Sequence, residues 1–385
     1  MATTPGEKPH HEHGRSELDP IASDDPGLTS PAPAETAEQR RADDEIVQSQ
    51  IESLVRTLGA DHLADGDADF KVRLVRELLT AGLKLIPDGR DTGELKLMTA
   101  ALKELRYAYR VFGEYPDPHK VTIFGSARTP EDHPDFESAV RFGKLMADAG
   151  WMVITGAGDG IMKAGHVGPG RESSFGVAIR LPFETTANDV IAGDDKLIHF
   201  RYFFTRKLMF LSQSEAVALF PGGFGTLDEA YETLTLVQTG KASIIPIVLV
   251  ENDGGSYWTH FHNFVRKSLL EPGLISPEDL DLYYHAESPE DACEHIRRFY
   301  RVYHSSRYVR NDLVIRVRHR ISDRDIAALN EEFGSLVAEG KIHQREAYEI
   351  EGEHEELPRI AFTHTRNHFG LVRRLIDRIN GFDPA

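Results

Sequence analysis

The segment Pro221-Gly222-Gly223-Phe224-Gly225-Thr226 follows the apolar run Ala216–Phe220 and precedes an amphipathic stretch, an arrangement that can cradle an anion. Glycine lets the backbone approach a phosphate closely, and a helix beginning at Thr226 would add its N-terminal dipole and free N–H groups. Glu229 follows one helical turn on. Near a positive helix end it would stay ionised and face a sugar, where N-glycosidic hydrolysis develops an oxocarbenium-like cation that a carboxylate can stabilise, or for which it can orient the attacking water. The same residues, Thr226-Leu-Asp-Glu229, also read as a capping box, in which Thr and Glu satisfy each other's backbone donors. Both roles can coexist. Arg206 and Lys207 lie on an amphipathic segment with Phe203, Phe210 and Leu211, just ahead of the strand that enters the glycine turn. An exposed, solvated pair is the plainer reading; as functional groups, Arg206 would fork onto phosphate or ribose oxygens and Lys207 would add a point charge.

Two further turns belong with the first. Gly125-Ser126-Ala127-Arg128 follows Val121–Phe124, and Thr155-Gly156-Ala157-Gly158-Asp159-Gly160 follows Trp151–Ile154. Any one of them could serve only a tight strand-to-helix turn. Three converging at one sheet edge point to a binding site in which Gly125, Ser126, Gly156 and Gly158 join Gly222, Gly223, Gly225 and Thr226. The spacing from Gly156 to Gly160 does not match G-x-G-x-x-G, so a single phosphate fits better than a dinucleotide.

These turns need a scaffold. Short apolar runs (121–124, 151–154, 175–179, 216–220, 244–250) alternate with amphipathic segments near 135–149, 202–212 and 226–239. That alternation predicts α/β architecture: a Rossmann-like, doubly wound parallel sheet covered on both faces. Residues 257–300 read as helical and would pack on the sheet. Ahead of the sheet, apolar spacings of three and four predict a helical segment over 46–118, and 119–300 is the expected catalytic domain. Beyond it, 301–385 reads as a small α+β unit: strand 313–317, helix 323–338, strands 347–350 and 359–363, helix 368–379. Residues 1–45, with four Lys/Arg against eleven Asp/Glu and no apolar periodicity, predict a disordered acidic tail. His10, His11 and His13 there have no fixed geometry, and no metal site is expected.

Composition narrows the partners. A net charge of −18 disfavours nucleic acid and anionic membrane as main partners, while leaving room for a small anion in a locally basic pocket. The single cysteine, Cys293, rules out an intrachain disulfide and reads as structural; with no signal-like start and no long apolar run, a cytoplasmic protein is expected.

Together, Pro221–Glu229 and Arg206-Lys207 resemble the Lonely Guy family, phosphoribohydrolases long mislabelled as lysine decarboxylases. The family signature Pro-Gly-Gly-x-Gly-Thr-x-x-Glu is matched in full, Gly125-Ser126 matches the first-strand turn, and the resemblance covers roughly 119–300. It implies Glu229 and Arg206 as catalytic, Gly222, Gly223, Gly225 and Thr226 as phosphate-holding, and a homodimer or higher oligomer with sites near the subunit interface. Plant-type members carry Gly-Gly-Gly-x-x-Gly-Leu-Met-Gly where this chain has Gly156-Ala-Gly-Asp-Gly-Ile-Met162-Lys-Ala. This segment and the long extensions look more like larger bacterial relatives that cleave general nucleoside 5′-monophosphates. The expectation is hydrolysis of a purine nucleoside monophosphate, AMP-like, to free base and ribose 5-phosphate without a cofactor. The alternative is a non-catalytic nucleotide-binding regulator of the same fold. Pyridoxal chemistry would need a lysine with an acidic partner for the ring nitrogen, and no segment singles one out.

Overall fold

The computed structural model describes residues 46–55, 57, 68–180 and 187–385. The expected acidic tail and its histidines lie outside the described residues. The chain divides between Ala100 and Ala101 into two compact units. In the first are helices α1 (46–55) and α2 (Ala68–Lys84); α3 (Thr92–Phe112) runs across the division.

In the second unit a seven-stranded sheet has the order β4-β3-β2-β1-β5-β6-β7, with every pairing parallel. Its strands are β1 (Lys120–Phe124), β2 (Met152–Thr155), β3 (Ser174–Ile179), β4 (Leu197–Phe200), β5 (Ala216–Leu219), β6 (Ile247–Leu249) and β7 (Tyr284–His285). This is the expected Rossmann-like, doubly wound sheet. The strand order reverses between β1 and β5, which places the crevice of the fold beyond their carboxyl ends.

Two-sided burial explains the continuous apolar strands. Val121 and Ile123 of β1 and Ala216 and Ala218 of β5 pack with Phe136, Phe142 and Met146 of α4 (Pro134–Asp148) and Ile296 of α9 (Pro289–Phe299). Phe124, Val217 and Leu219 face the other way, against Met209 and Phe210 of α6 (Phe203–Ser212), Ala230 and Val237 of α7 (Phe224–Gln238) and Trp258 of α8 (Tyr257–Phe264). Between β2 and β3 lies the short helix α5 (Ile161–Val167). Helix entries follow local chemistry: α4 and α9 each carry proline in the first turn, and the side chains of His133 and Ser288 accept the N–H groups of Asp135 and Asp291.

The structure departs from the expected elements in three places. Residues 257–300 are not continuously helical: beyond α8 they pass through a π turn, a 3-10 turn from Pro277 and strand β7 before α9, because Pro272, Gly273 and Pro277 break the helix. Strand β4 was not expected, since one of its four residues, His199, is exposed and the run is short. Toward the C-terminus, strands β8 (Tyr303–Val309), β9 (Asp312–Val317), β10 (Val337–Arg345) and β11 (Arg359–His364) form an antiparallel sheet of order β10-β11-β9-β8, packed by α10 (Asp323–Phe333) and α11 (Phe369–Ile379). The expected strand 347–350 is instead a turn region after β10, of whose nine residues only Ile342 is buried, so that it carries no apolar alternation. Leu313, Ile315, Val372 and Ile376 share one core with the second face of the large sheet, so these elements are fused to it.

Arg316 and Arg359 stand directly opposite each other on β9 and β11, a pairing of like charges that is unfavourable unless compensated. Glu351, fully buried in its side chain, supplies the compensation: its Oε1 accepts from Arg316 Nη2 at 3.0 Å and its Oε2 from Arg359 Nε at 3.1 Å. Burial opposes ionisation of Glu351, but the hydrogen bonds from Arg359, the Tyr348 N–H and Arg316 outweigh it and hold the carboxyl below its usual range. Its contribution is therefore complete above the unfolded carboxyl value and lost as pH falls through the folded one. Glu351→Gln is expected to cost about 3 kcal/mol in denaturant unfolding at pH 7, the usual scale for stranding buried charge, with the gap narrowing in acid; an unchanged midpoint at pH 7 would overturn this.

Candidate active site

Helix α7 begins at Phe224, with Gly223 as its N-cap and no side-chain cap. The Leu227 N–H donates to Gly223 O, so the N–H groups of Phe224, Gly225 and Thr226 have no acceptor within the helix. The turn ahead of them is held from behind: Tyr257 donates its hydroxyl to Gly222 O at 2.7 Å, and the Ser126 N–H donates to Pro221 O at 3.1 Å, tying the β1 turn to the β5 turn across the switch point. A Cβ on Gly222 would collide with Thr226 Oγ1 and approach Ser126 N, so this glycine is demanded by packing. Around Gly223 and Gly225 there is open space within 4 Å. Packing against the rest of the chain therefore does not demand glycine at either position.

These turns line an open cleft of about 1190 Å³, bounded also by the β2 turn and the end of β3. Gly125, Ser126, Gly156, Gly158, Arg206, Gly222, Gly223, Gly225, Thr226 and Glu229 all border it. Their local duties differ. Gly125 lies against Ile161, and Gly156 makes room for the guanidinium of Arg206 and for Met162, which also covers Gly158. Ser126 spends its N–H on Pro221 O and accepts the Arg128 N–H at its hydroxyl, so the hydroxyl proton is the one donor it has left for an anion. Arg206 donates from Nε to Val177 O at 2.9 Å and sits over the Phe210 ring, 5.1 Å from its centroid. That grip aims a rigid, permanently charged fork along the cleft wall.

Lys207 is a correction. It does not border the cleft; its ammonium is bound by Asp228 at 2.7 Å and by Glu232, and stands 4.0 Å from Glu229. Burial would lower its pKa, but hydrogen bonds to Asp228 and Glu232 and the charge of Glu229 raise it. An ammonium already neutralised by the carboxylates of α7 is not a phosphate contact, and a lysine held as ammonium is the opposite of one tuned for Schiff-base chemistry.

The capping box is a second correction. With α7 starting at Phe224, Thr226 is its third residue and Glu229 its sixth, so neither caps the helix. Glu229 is 7% exposed, and its Oε2 is buried without any hydrogen-bond partner. Burial raises its pKa to about 7, against the opposing pull of Lys207 and Arg206 and with help from Glu232 and Asp228. The carboxyl expected to be fully ionised is thus poised near neutrality.

Sequence reading passed over several cleft residues: Arg128, Met162, Arg180, His199, Phe203 and Asp228. Arg128 and Arg180 directly follow the β1 turn and β3, so inspection of every strand end would have found them; His199 stands on β4, the unexpected strand. Among the described residues no group of three or more His, Cys, Asp or Glu is placed to hold a metal, and no helix is long and apolar enough to cross a membrane.

Fold and cleft together define a doubly wound α/β protein with a glycine-lined, carboxylate-bearing site at its switch point. Residues 157–296 match the family model described as possible lysine decarboxylase. A cytokinin riboside 5′-monophosphate phosphoribohydrolase of Mycobacterium tuberculosis is 27% identical over 170 residues, 43% of this chain and 87% of that protein. One from Arabidopsis thaliana is 30% identical over 94 residues, 24% of this chain and 42% of the plant protein, so the chain spans less than half of that relative. A solved molybdenum cofactor carrier protein from Chlamydomonas reinhardtii aligns with 47% of this chain and 97% of its own at 20% identity and a TM-score of 0.33. The Pro221–Glu229 signature sits on the switch-point turn, and over these matched residues the chain is similar to the Lonely Guy family, the one that carries the lysine decarboxylase label.

Gly225 lies within α7 and faces open space, so Gly225→Ala should raise helix stability by roughly 0.5–1 kcal/mol. The added methyl should at the same time weaken binding of a phosphate-bearing ligand, AMP being the probe. Calorimetry alongside thermal melting checks both; a variant that binds AMP as tightly as the parent would show that nothing docks on this turn.

Proposed function

We propose that this chain hydrolyses the N-glycosidic bond of a nucleoside 5′-monophosphate, with purine substrates such as AMP preferred. The observation that carries the reading is Glu229: a buried, cleft-lining carboxylate whose Oε2 has no hydrogen-bond partner, one and a half turns inside a helix whose start is open to an anion. Burial of such a group costs stability, and the expected compensation is work on a charge that appears during reaction.

In this reading the 5′-phosphate rests on the N–H groups of Phe224, Gly225 and Thr226, where the helix dipole favours it. Arg206 forks onto phosphate or ribose oxygens. The ribose C1′ then faces Glu229. As the C1′–N bond breaks, its electron pair leaves with the base, which takes up a proton from solvent; positive charge spreads over C1′ and the ring oxygen beside the ionised Glu229. A water oxygen bonds to C1′, and Glu229 accepts the proton it releases. The products are free base and ribose 5-phosphate. The relatives' names, which specify riboside 5′-monophosphates, support this bond and this phosphate position. The segment Gly156–Ala164 departs from the plant pattern, which favours a general purine nucleotide over a cytokinin. The same reading makes the chain a homodimer or higher oligomer, to which the exposed Phe203, Phe204 and Phe224 beside the cleft are suited; sedimentation should give at least twice 43.1 kDa, and a monomer at working concentration would remove that part.

Incubation with AMP, GMP, CMP and UMP should release base fastest from AMP; no release from any of them sinks the proposal. Because the ionised form of Glu229 does the work, kcat/KM should rise with pH through a limb near 7, above the substrate phosphate's own ionisation near pH 6. Glu229→Gln should lower kcat by about 100-fold or more, on the scale of removing a transition-state charge contact. The variant should also be more stable than the parent at pH 8. A carboxyl whose folded pKa lies above its unfolded one penalises folding once pH exceeds the unfolded value, so the gap should open between about 4.5 and 7 and vanish below.

A further inference from the structure

His166 of α5 is fully buried beneath the cleft and takes no part in the reaction described above. Its Nε2 lies 3.0 Å from Phe175 O on β3 and 3.0 Å from Thr155 Oγ1. A carbonyl oxygen can only accept, so Nε2 carries the ring proton. Nδ1 is then an acceptor, and the Asn188 amide supplies it with a hydrogen at 3.1 Å. The second hydrogen of that amide goes to Gly158 O at 3.0 Å, while the Asn188 N–H donates to Ala157 O at 2.8 Å and Thr155 Oγ1 accepts the Ala157 N–H at 3.0 Å. Ala157 has φ +64°, a left-handed conformation that an alanine holds only when its surroundings impose it. Gly156, Ala157 and Gly158 form one wall of the cleft, with the Arg206 guanidinium resting against Gly156.

We propose that His166 is a positioning residue: a neutral imidazole whose Nε2–H bond to Phe175 O fixes the tautomer, so that Nδ1 accepts from Asn188 and through it clamps the strained Gly156–Gly158 turn, setting the cleft wall and Arg206 before a nucleotide arrives. Burial holds the imidazole's pKa down, in keeping with a ring that stays neutral. No charge changes hands; the device is a fixed pattern of one donor and one acceptor. Preorganisation of this kind lowers the cost of binding without touching the reacting atoms.

The two halves of the pattern can be separated. In His166→Asn the shorter amide reaches the Nδ1 position and can still meet Asn188; in His166→Gln the longer amide reaches the Nε2 position and keeps Phe175 while the acceptor for Asn188 is lost. Amide hydrogen exchange over residues 156–160 of the ligand-free protein and calorimetric titration with AMP are measured for both. His166→Gln should speed exchange in the turn about tenfold and weaken AMP about tenfold, the scale of one lost hydrogen bond, while His166→Asn stays within about twofold of the parent in both. Asn188→Ala, which leaves the imidazole and its Phe175 bond in place, should reproduce the Gln result and serves if the His166 variants do not fold. Equal changes in Asn and Gln variants that simply follow thermal stability would overturn the proposal, as would faster turn exchange with undiminished AMP affinity. The AMP arm rests on the proposed function; should the parent protein neither bind nor cleave any nucleoside monophosphate, that reading fails by itself, and the exchange arm still decides whether His166 holds the turn.

Discussion

A buried carboxylate, one oxygen of which has no hydrogen-bond partner, is the constraint around which this molecule is arranged. Left alone in a packed interior, Glu229 would cost several kcal/mol or give up its charge. Here it is pushed to about 7 and no further, because Lys207 and Arg206 of α6 pull against burial. Both cations have been fixed by other bonds first: Lys207 by Asp228 and Glu232, Arg206 by Val177 O and Phe210. The poise of the carboxyl is therefore a property of the packing between α6 and α7, and of the strand ends beneath them.

The start of α7 follows from the same packing. Gly222 is squeezed between Thr226 and Ser126, and Tyr257 grips its carbonyl, so the chain can only turn into the helix at Gly223. This start leaves the first N–H groups open and carries Glu229 into the second turn, away from any capping role. Thr226 and Glu229 keep the spacing of a capping box, yet the N-cap is Gly223, three residues ahead of Thr226, so the helix begins too early for one to form. The competing structural explanation of the motif is thereby removed, and its glycines divide into those that packing requires and those, Gly223 and Gly225, that it does not.

Much of this was legible beforehand. Apolar strand runs, amphipathic helices and three glycine-rich turns are local patterns, each set by what neighbouring residues can do to the backbone, and they were sufficient for the doubly wound sheet and for which strand ends meet. The strands that escaped notice are short, as β4 and β7 are, or, as with β8 and β10, made mostly of residues that are not fully buried, so no clear side-chain alternation marks them. The long helical reading of 257–300 failed because helix-forming residues outweighed, in a local view, the prolines that interrupt them.

The amino-acid sequence by itself determined the fold class, the signature from Pro221 to Glu229 and the glycine-rich turns that gather with Arg206 and Glu229 at the cleft, since these depend on residue type and spacing along the chain. It could not determine that Lys207 turns to a carboxylate cluster instead of the cleft, that Glu229 is desolvated to near-neutral pKa, or that His166 and Asn188 hold the turn beside Arg206. Each of those depends on distances between residues far apart in the chain and on exclusion of water from the space between them. Only the packed tertiary structure sets both.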